Sequence, residues 1–340
     1  MRRAELIRPG ELEVRVVQVP DPGPGELLVQ IEAALTCGTD LKMYRRGHAR
    51  LPLPAPFGHE FAGVVAAVGE GVAGFAEGDA IAAVPTAPCG RCALCLRERD
   101  NLCPFALERI ALGAYADYLL LPAHVVTTNV FARPAGLPAE HAALLEPLAC
   151  VVHGASRVRL DRARTVVLLG DGPIALLFTQ LARLRGAGQV LVVGRHASRL
   201  ALAAAFGAKP IDEAGPALHD HLKEQTGGIG ADVVIECIGD PAAWELAQTL
   251  AARGGEVLLY GGCAAGTRVS FDAATLHYDE VDLKGAFHYG RTAVREALAL
   301  LESRTIDAAP LITHRLPLAR LTEALDLVRT RAAVKVAVIP

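Results

Sequence analysis

Thr165-Val166-Val167-Leu168-Leu169-Gly170-Asp171-Gly172-Pro173-Ile174-Ala175 decides how this chain is read. A β-branched run leads into a glycine turn, and the turn opens a helical stretch expected over residues 174–185. Strand, G-x-G-x-x-A turn and helix in that order are the context in which a dinucleotide pyrophosphate is bound. Gly170 makes the tight turn and Gly172 lets backbone approach the phosphates, while alanine at 175 is a permitted substitute for the third glycine. Pro173 loses nothing in a first helical turn, where its missing N–H would be unsatisfied anyway. Together with Ile174 it lines a helix N-terminus that suits an anion.

Outward from that turn the same grammar repeats. Strands are expected at 190–193, 232–237 and 256–260, with helices at 198–206 and 242–252. Strand and helix in alternation imply an α/β unit with a doubly wound parallel sheet. Residues 281–287 read as a further strand, with Asp282 and Lys284 interrupting its apolar pattern. Before residue 146 the chain is instead β-rich, with short apolar runs (27–33, 61–68) broken by Gly and Pro. After 284 the alternation stops, and a helix at 292–302 and short strands follow, ending at 334–339.

The 340 residues suit about two domains. A charged fraction of 21% beside 52% hydrophobic residues excludes a disordered chain. The net charge of −3 gives no reason to expect nucleic acid or an anionic membrane as partner. No apolar run reaches the ~18 residues of a membrane span. Pro9 and Gly10 interrupt the N-terminus before a signal-peptide core could form, so a cytoplasmic protein is expected.

Four of the eight cysteines crowd together. Cys89, Cys92, Cys95 and Cys103 form C-x2-C-x2-C-x7-C in a loop containing Pro and Gly, a lobe placed at 86–106. In a reducing compartment such a cluster points to metal, and four thiolates suit a closed tetrahedral zinc. An iron–sulfur cluster is the rival, since Pro104 follows Cys103, but the last gap is too long for that motif. With four sulfurs on the metal no substrate can reach it, so the site is structural.

Cys37, His59, Glu60 and Glu146 are scattered, and each taken singly has an ordinary structural reading. Cys37-Gly38-Thr39-Asp40, Gly58-His59-Glu60, the four-cysteine lobe, Glu146-Pro147-Leu148, the turn at 170 and Asp232-Val233-Val234-Ile235-Glu236-Cys237 stand in that order along the chain. In this arrangement the sequence resembles, end to end, the zinc-dependent medium-chain dehydrogenases, on the sorbitol and threonine dehydrogenase branch. The resemblance implies a GroES-like catalytic domain (1–146 and 284–340) and an inserted Rossmann domain (147–283). It also implies an active site in the cleft between them.

In that family the positions of Cys37 and His59 hold a catalytic zinc, giving two zincs per subunit with the lobe. Where alcohol dehydrogenases of the Cys2His type have a second cysteine, this chain offers Glu60 and Glu146. Zinc with one thiolate and one carboxylate is neutral, whereas both carboxylates together would leave −1 and a poorer Lewis acid. One glutamate is therefore expected to bind tightly at a time, the other through water or by exchange. Thr39 matches the hydroxyl that starts the family's proton relay, and Lys42 stands where many relatives carry the next relay group, a histidine. His48 is expected in a surface loop. Lys335 matches a basic position that reaches the cofactor pyrophosphate in relatives.

At the end of the second strand, Gly194 replaces the acid that binds the ribose 2′-hydroxyl of NAD. Its absence removes repulsion toward a 2′-phosphate, and Arg195 and Arg199 can pair with one, so NADP is expected ahead of NAD. The expected reaction is reversible oxidation of a secondary alcohol or polyol hydroxyl to a carbonyl. Oxidation of an amino-acid hydroxyl, as by threonine 3-dehydrogenase, and an inactive NADPH-binding relative are the alternatives. A homodimer or homotetramer is expected, because relatives often pair through the strand that 281–287 would form.

Overall fold

The computed structural model describes residues 1–47 and 52–340, and His48 lies outside the described residues. The chain divides into two units, Met1–Ala149 with Tyr289–Pro340, and Cys150–His288.

The first unit begins with the antiparallel pair β1 (Arg2–Arg8) and β2 (Glu11–Val16). Its main sheet starts at β3 (Leu27–Leu35), whose exposed Gln30 and Glu32 alternate with a fully apolar inner face. Next come β4 (Ala55–Pro56), paired with β1, and β5 (Glu60–Val68), antiparallel to β3. Gly63 makes the β3–β5 approach possible, since a Cβ there would stand 2.1 Å from the Gln30 carbonyl oxygen. The strands β6 (Ala80–Ala83), β7 (Tyr118–Leu121) and β8 (Val130–Ala132) extend this sheet. Phe57, Phe61, Tyr115 and Leu121 fill the core beneath it.

The second unit is a six-stranded parallel sheet. Its strands are β9 (Thr165–Leu169), β10 (Gln189–Val193), β11 (Lys209–Ile211), β12 (Ala231–Glu236), β13 (Ala251–Leu259) and β14 (Asp282–Gly285). Their spatial order is β11-β10-β9-β12-β13-β14, which counted within the unit is the 3-2-1-4-5-6 order of a Rossmann sheet. The helices Pro173–Leu184 and Ala197–Ala205 follow β9 and β10 within a residue or two of their expected positions.

Three strands of this sheet differ from expectation. The helix expected over 242–252 ends at Thr249, and β13 starts at Ala251, pairing with Ala231 of β12. The alanines at 251 and 252 favour a helix, but the Gly254–Gly255 pair beyond them and the waiting β12 edge win. A short strand, β11, with Pro210 inside it is tolerated because it lies at the sheet edge. β14 spans Asp282–Gly285, shorter than the expected 281–287. Its Lys284 answers the buried Glu256 of β13 at 2.7 Å, so the charge that interrupts the apolar pattern is a cross-strand partner.

The chain then returns to the first unit. β15 (Ile312–Pro317) and β16 (Lys335–Ile339) complete its large sheet in the order β15-β16-β3-β5-β6-β8, with β7 also on β3. Among the described residues no helix is long and apolar enough to cross a membrane.

Candidate active site

The first cluster grows from the helix Gly38–Arg46 at the end of β3. Cys37 caps it: its sulfur accepts from the Thr39 amide at 3.4 Å, and Asp40 Oδ2 accepts from the Cys37 amide at 3.0 Å. This reciprocal pair fixes the sulfur at the helix N-terminus. His59 and Glu60, at the start of β5, come to meet it. A sulfur, a ring nitrogen and a carboxylate oxygen from Cys37, His59 and Glu60 lie within 4.8 Å of one another. His59 is 8% exposed and Glu60 fully buried.

Asp40, the last residue of the Cys37-Gly38-Thr39-Asp40 motif, organises this cluster. Its Oδ1 stands 3.0 Å from His59 Nδ1, and its Oδ2 accepts from the Tyr115 hydroxyl at 2.6 Å. With Nδ1–H turned to Asp40, the other ring nitrogen is the one that can hold either a proton or a metal ion. Burial opposes a charged His59, yet the Asp40 carboxylate outweighs it and lifts the imidazole well above its ordinary pKa. Tyr115 is also displaced upward, by burial first and by Asp40 second. The spacing Cys37-x2-Asp40 could have pointed to a capping box, whereas nothing in the sequence links Tyr115 to this place.

Glu60 is divided between two environments. Oε2 takes the Lys335 ammonium at 2.5 Å, while Oε1 is buried with no hydrogen-bond partner among the described residues. Burial pushes the carboxyl up to about 7, against the pull of Lys335 and His59. Lys335 is 1% exposed and donates as well to the Thr36 carbonyl at 3.1 Å. The structure therefore encloses Lys335 beside Glu60, which departs from its expected place at a pyrophosphate. β16 carries it into the sheet interior, a burial that no local pattern reveals. An orphaned carboxylate oxygen beside a thiol and an imidazole is a donor set that fits a divalent zinc ion. Glu146, 8% exposed in the first turn of the helix Leu145–Ala155, is outside this trio, but its charge still raises the Glu60 pKa. Thr39 and Lys42 are exposed and three residues apart on one helix, hence neighbours on its surface.

The second cluster is the cysteine lobe. The sulfurs of Cys89, Cys92, Cys95 and Cys103 all lie within 4.8 Å of one another, with Cys92 3.5 Å from Cys95 and 3.9 Å from Cys103. Four sulfurs about 2.3 Å from a tetrahedral zinc would be about 3.8 Å apart, so the spacing fits. Backbone amides of Arg91 and Cys92 lower the Cys89 thiol to about 6, whereas burial and neighbouring thiols push Cys95 to about 12. Only a cation lets all four ionise together. Arg291 meets Asp100 at 2.7 Å beside the lobe.

The third cluster is the glycine turn after β9. Gly170 has φ +112°, and Gly172 ends in open space, with nothing within 4 Å of a Cβ placed there. Gly172 caps the helix Pro173–Leu184 without a side chain, so the first amides, including that of Ile174, keep their capacity for an anion. At the end of β10, Arg195 is exposed. Arg199, expected to face a 2′-phosphate, is 3% exposed and instead turns Nη1 toward Asp171 Oδ1 at 3.8 Å. Its helix packs that face inward. Gly194 carries no acid, but the Asp171 carboxylate has come to lie against it.

Residues 23–130 match the alcohol dehydrogenase GroES-like domain family, and residues 173–303 the zinc-binding dehydrogenase family. The chain is 32% identical to a sorbitol dehydrogenase of Bacillus subtilis over 96% of its own length and 93% of that protein's. It is also 32% identical to an L-threonine 3-dehydrogenase of Bacillus licheniformis, with 99% of each covered. Among solved structures it resembles a Sinorhizobium meliloti protein assigned as a zinc-binding dehydrogenase and bound to NADP. The TM-score is 0.89 and the identity 34%, covering 100% of this chain and 99% of that one.

Proposed function

The chain belongs to the zinc-dependent medium-chain alcohol dehydrogenases, and from that premise we propose that it reversibly oxidises a secondary alcohol or polyol hydroxyl to a carbonyl, using NADP ahead of NAD. The observation that carries the reading is the buried Cys37–His59–Glu60 set with its unpartnered Glu60 Oε1. Cys37 and His59, with Glu60 or Glu146 as third donor, would hold the zinc, which would supply Lewis-acid polarisation of the substrate oxygen, and a bound nicotinamide would supply the hydride acceptor.

The chain's own groups then have definite tasks. Asp40 holds His59 in the tautomer a metal needs, and Tyr115 holds Asp40. The Thr39 hydroxyl, exposed at the helix start, accepts the substrate proton as it gives up its own to solvent beside Lys42, one turn on. Lys335 keeps Glu60 Oε2 engaged, so that Oε1 is the oxygen offered. Cys89, Cys92, Cys95 and Cys103 hold a second zinc that fixes the lobe. The amides that follow Gly172 receive the pyrophosphate, and the exposed Arg195 guanidinium receives the 2′-phosphate, in keeping with the NADP-bound relative. Self-association into a dimer or tetramer through β14 is part of the proposal, since its outer edge has no strand partner among the described residues.

The similarity to an L-threonine 3-dehydrogenase favours a second reading, oxidation of an amino-acid hydroxyl. A panel of polyols, simple secondary alcohols and L-threonine, assayed with NADP and NAD by absorbance of the reduced cofactor, separates the two. Turnover of polyols with NADP supports the reading. Turnover of threonine alone replaces it with the second. No turnover of any substrate by zinc-loaded protein makes this chain an inactive relative.

A further inference from the structure

In dinucleotide-binding sheets an acid at the end of the second strand accepts the ribose 2′-hydroxyl and repels a 2′-phosphate. This chain has Gly194 there, yet the ground beside Gly194 is not free of charge. Asp171, from the middle of the glycine turn, reaches across to it. A Cβ built on Gly194 would stand 2.6 Å from Asp171 Cβ and 2.6 Å from its Oδ2. Positions 171 and 194 therefore cannot both carry a side chain in this arrangement. The Asp171 carboxylate sits within one side chain's reach of where the usual acid would be.

Its bonding leaves it suited to that task. Oδ2 accepts from the Arg195 amide at 2.9 Å and the His196 amide at 3.0 Å, and lies 2.8 Å from His196 Nδ1. Oδ1 takes none of these three donors, and Arg199 Nη1, at 3.8 Å from it, is too far for a hydrogen bond. Burial works to raise the carboxyl pKa, but the Arg195 amide and the His196 donors outweigh it and hold Asp171 below the ordinary carboxylate value. At neutral pH it is an anion with an oxygen to offer. Arg195, whose amide it binds, sends its guanidinium into solvent.

We propose that Asp171 reads the ribose 2′ position: from the glycine turn it does what an acid at 194 would do from the strand end, admitting NADH and limiting the preference for NADPH that Arg195 confers. The inference rests on the reading of this turn as a dinucleotide site. A carboxylate that only clasped the 194–196 backbone would support both cofactors equally. One that reads the ribose separates them, because a 2′-hydroxyl donates to it and a 2′-phosphate is repelled by it.

The test is a pair of fluorescence titrations, NADH and NADPH, on the full chain and four variants. D171N is expected to weaken NADH by about tenfold and to leave NADPH unchanged or tighter. R195A is expected to weaken NADPH alone. G194D, which overlaps Asp171, is expected to lose both cofactors, and D171A/G194D, which moves the acid to the strand end, to regain NADH. Equal loss of both cofactors in D171N, or no change in either, overturns the proposal, as does G194D binding like the unaltered protein. If the unaltered protein binds neither, the dinucleotide reading falls and this inference with it. If only R195A is without effect, the expected NADP preference falls and the role of Asp171 is still decided by D171N.

Discussion

Asp40 shows how much one carboxylate can settle. It ties the Cys37 amide, the His59 ring and the Tyr115 hydroxyl into one buried unit. Replacing it by asparagine keeps the volume but removes the charge that orients His59. D40N is expected to weaken zinc at the Cys37–His59 site by about 10- to 100-fold, read as faster loss of one metal to a chelator. C37S goes further, since a hydroxyl is a poor stand-in for a thiolate: the bound zinc should fall from two per chain to one, with turnover lost. Cys37, His59 and Glu60 were legible only through the family resemblance, since each taken singly has an ordinary structural reading, and the fold brings their donor atoms within 4.8 Å of one another. Asp40 was half legible, Tyr115 not at all, being 75 residues from its partner. The enclosure of Lys335 and Arg199 was hidden for another reason: a long cation reads as solvated until the element beneath it is known to turn inward.

At the scale of elements, Glu256 joins three pieces of the second unit. It accepts from the Arg159 amide and guanidinium, both at 2.8 Å, and from Lys284 of β14 at 2.7 Å. Burial works to raise its pKa, but Lys284 and Arg159 outweigh it and hold it below the ordinary 4.5. A depressed carboxylate stabilises the fold fully above its unfolded value and ceases to do so as pH falls through the folded one. E256Q should cost about 1–3 kcal/mol at neutral pH. Urea midpoints followed downward from neutral pH should show the gap between E256Q and the unaltered protein closing at the acid end. A constant gap would place the effect in packing. The strands β9, β10 and β12 were legible because β-branched runs between glycine turns have little else to be. β11 and the start of β13 were not, since Pro210 and the 251–252 alanines argue locally for something other than strand, and only the neighbouring edge decides.

For the whole molecule, the two metal sites make unequal demands. The cysteine lobe has only a small apolar cluster of its own around Ala106 and Phe105, so a zinc held there would take the place of a core. C95A should leave one zinc per chain and lower Tm by roughly 5–10 °C, whereas C37S should lower Tm far less. Calorimetry beside metal analysis checks both. One further consequence follows from β16, which lies inside its sheet between β15 and β3. Its residues, 335–339, leave the ribosome only after the whole second unit has been made. At about 5–20 residues per second, the 186 residues from 149 to 335 take roughly 10 to 40 s. Through that interval the nascent first unit has a gap in its largest sheet, and Glu60 lacks the lysine that faces it in the finished protein. The second unit, continuous in sequence, can fold as it emerges. Synthesis order thus makes the unit that carries Cys37, His59 and the cysteine lobe the last to complete its sheet.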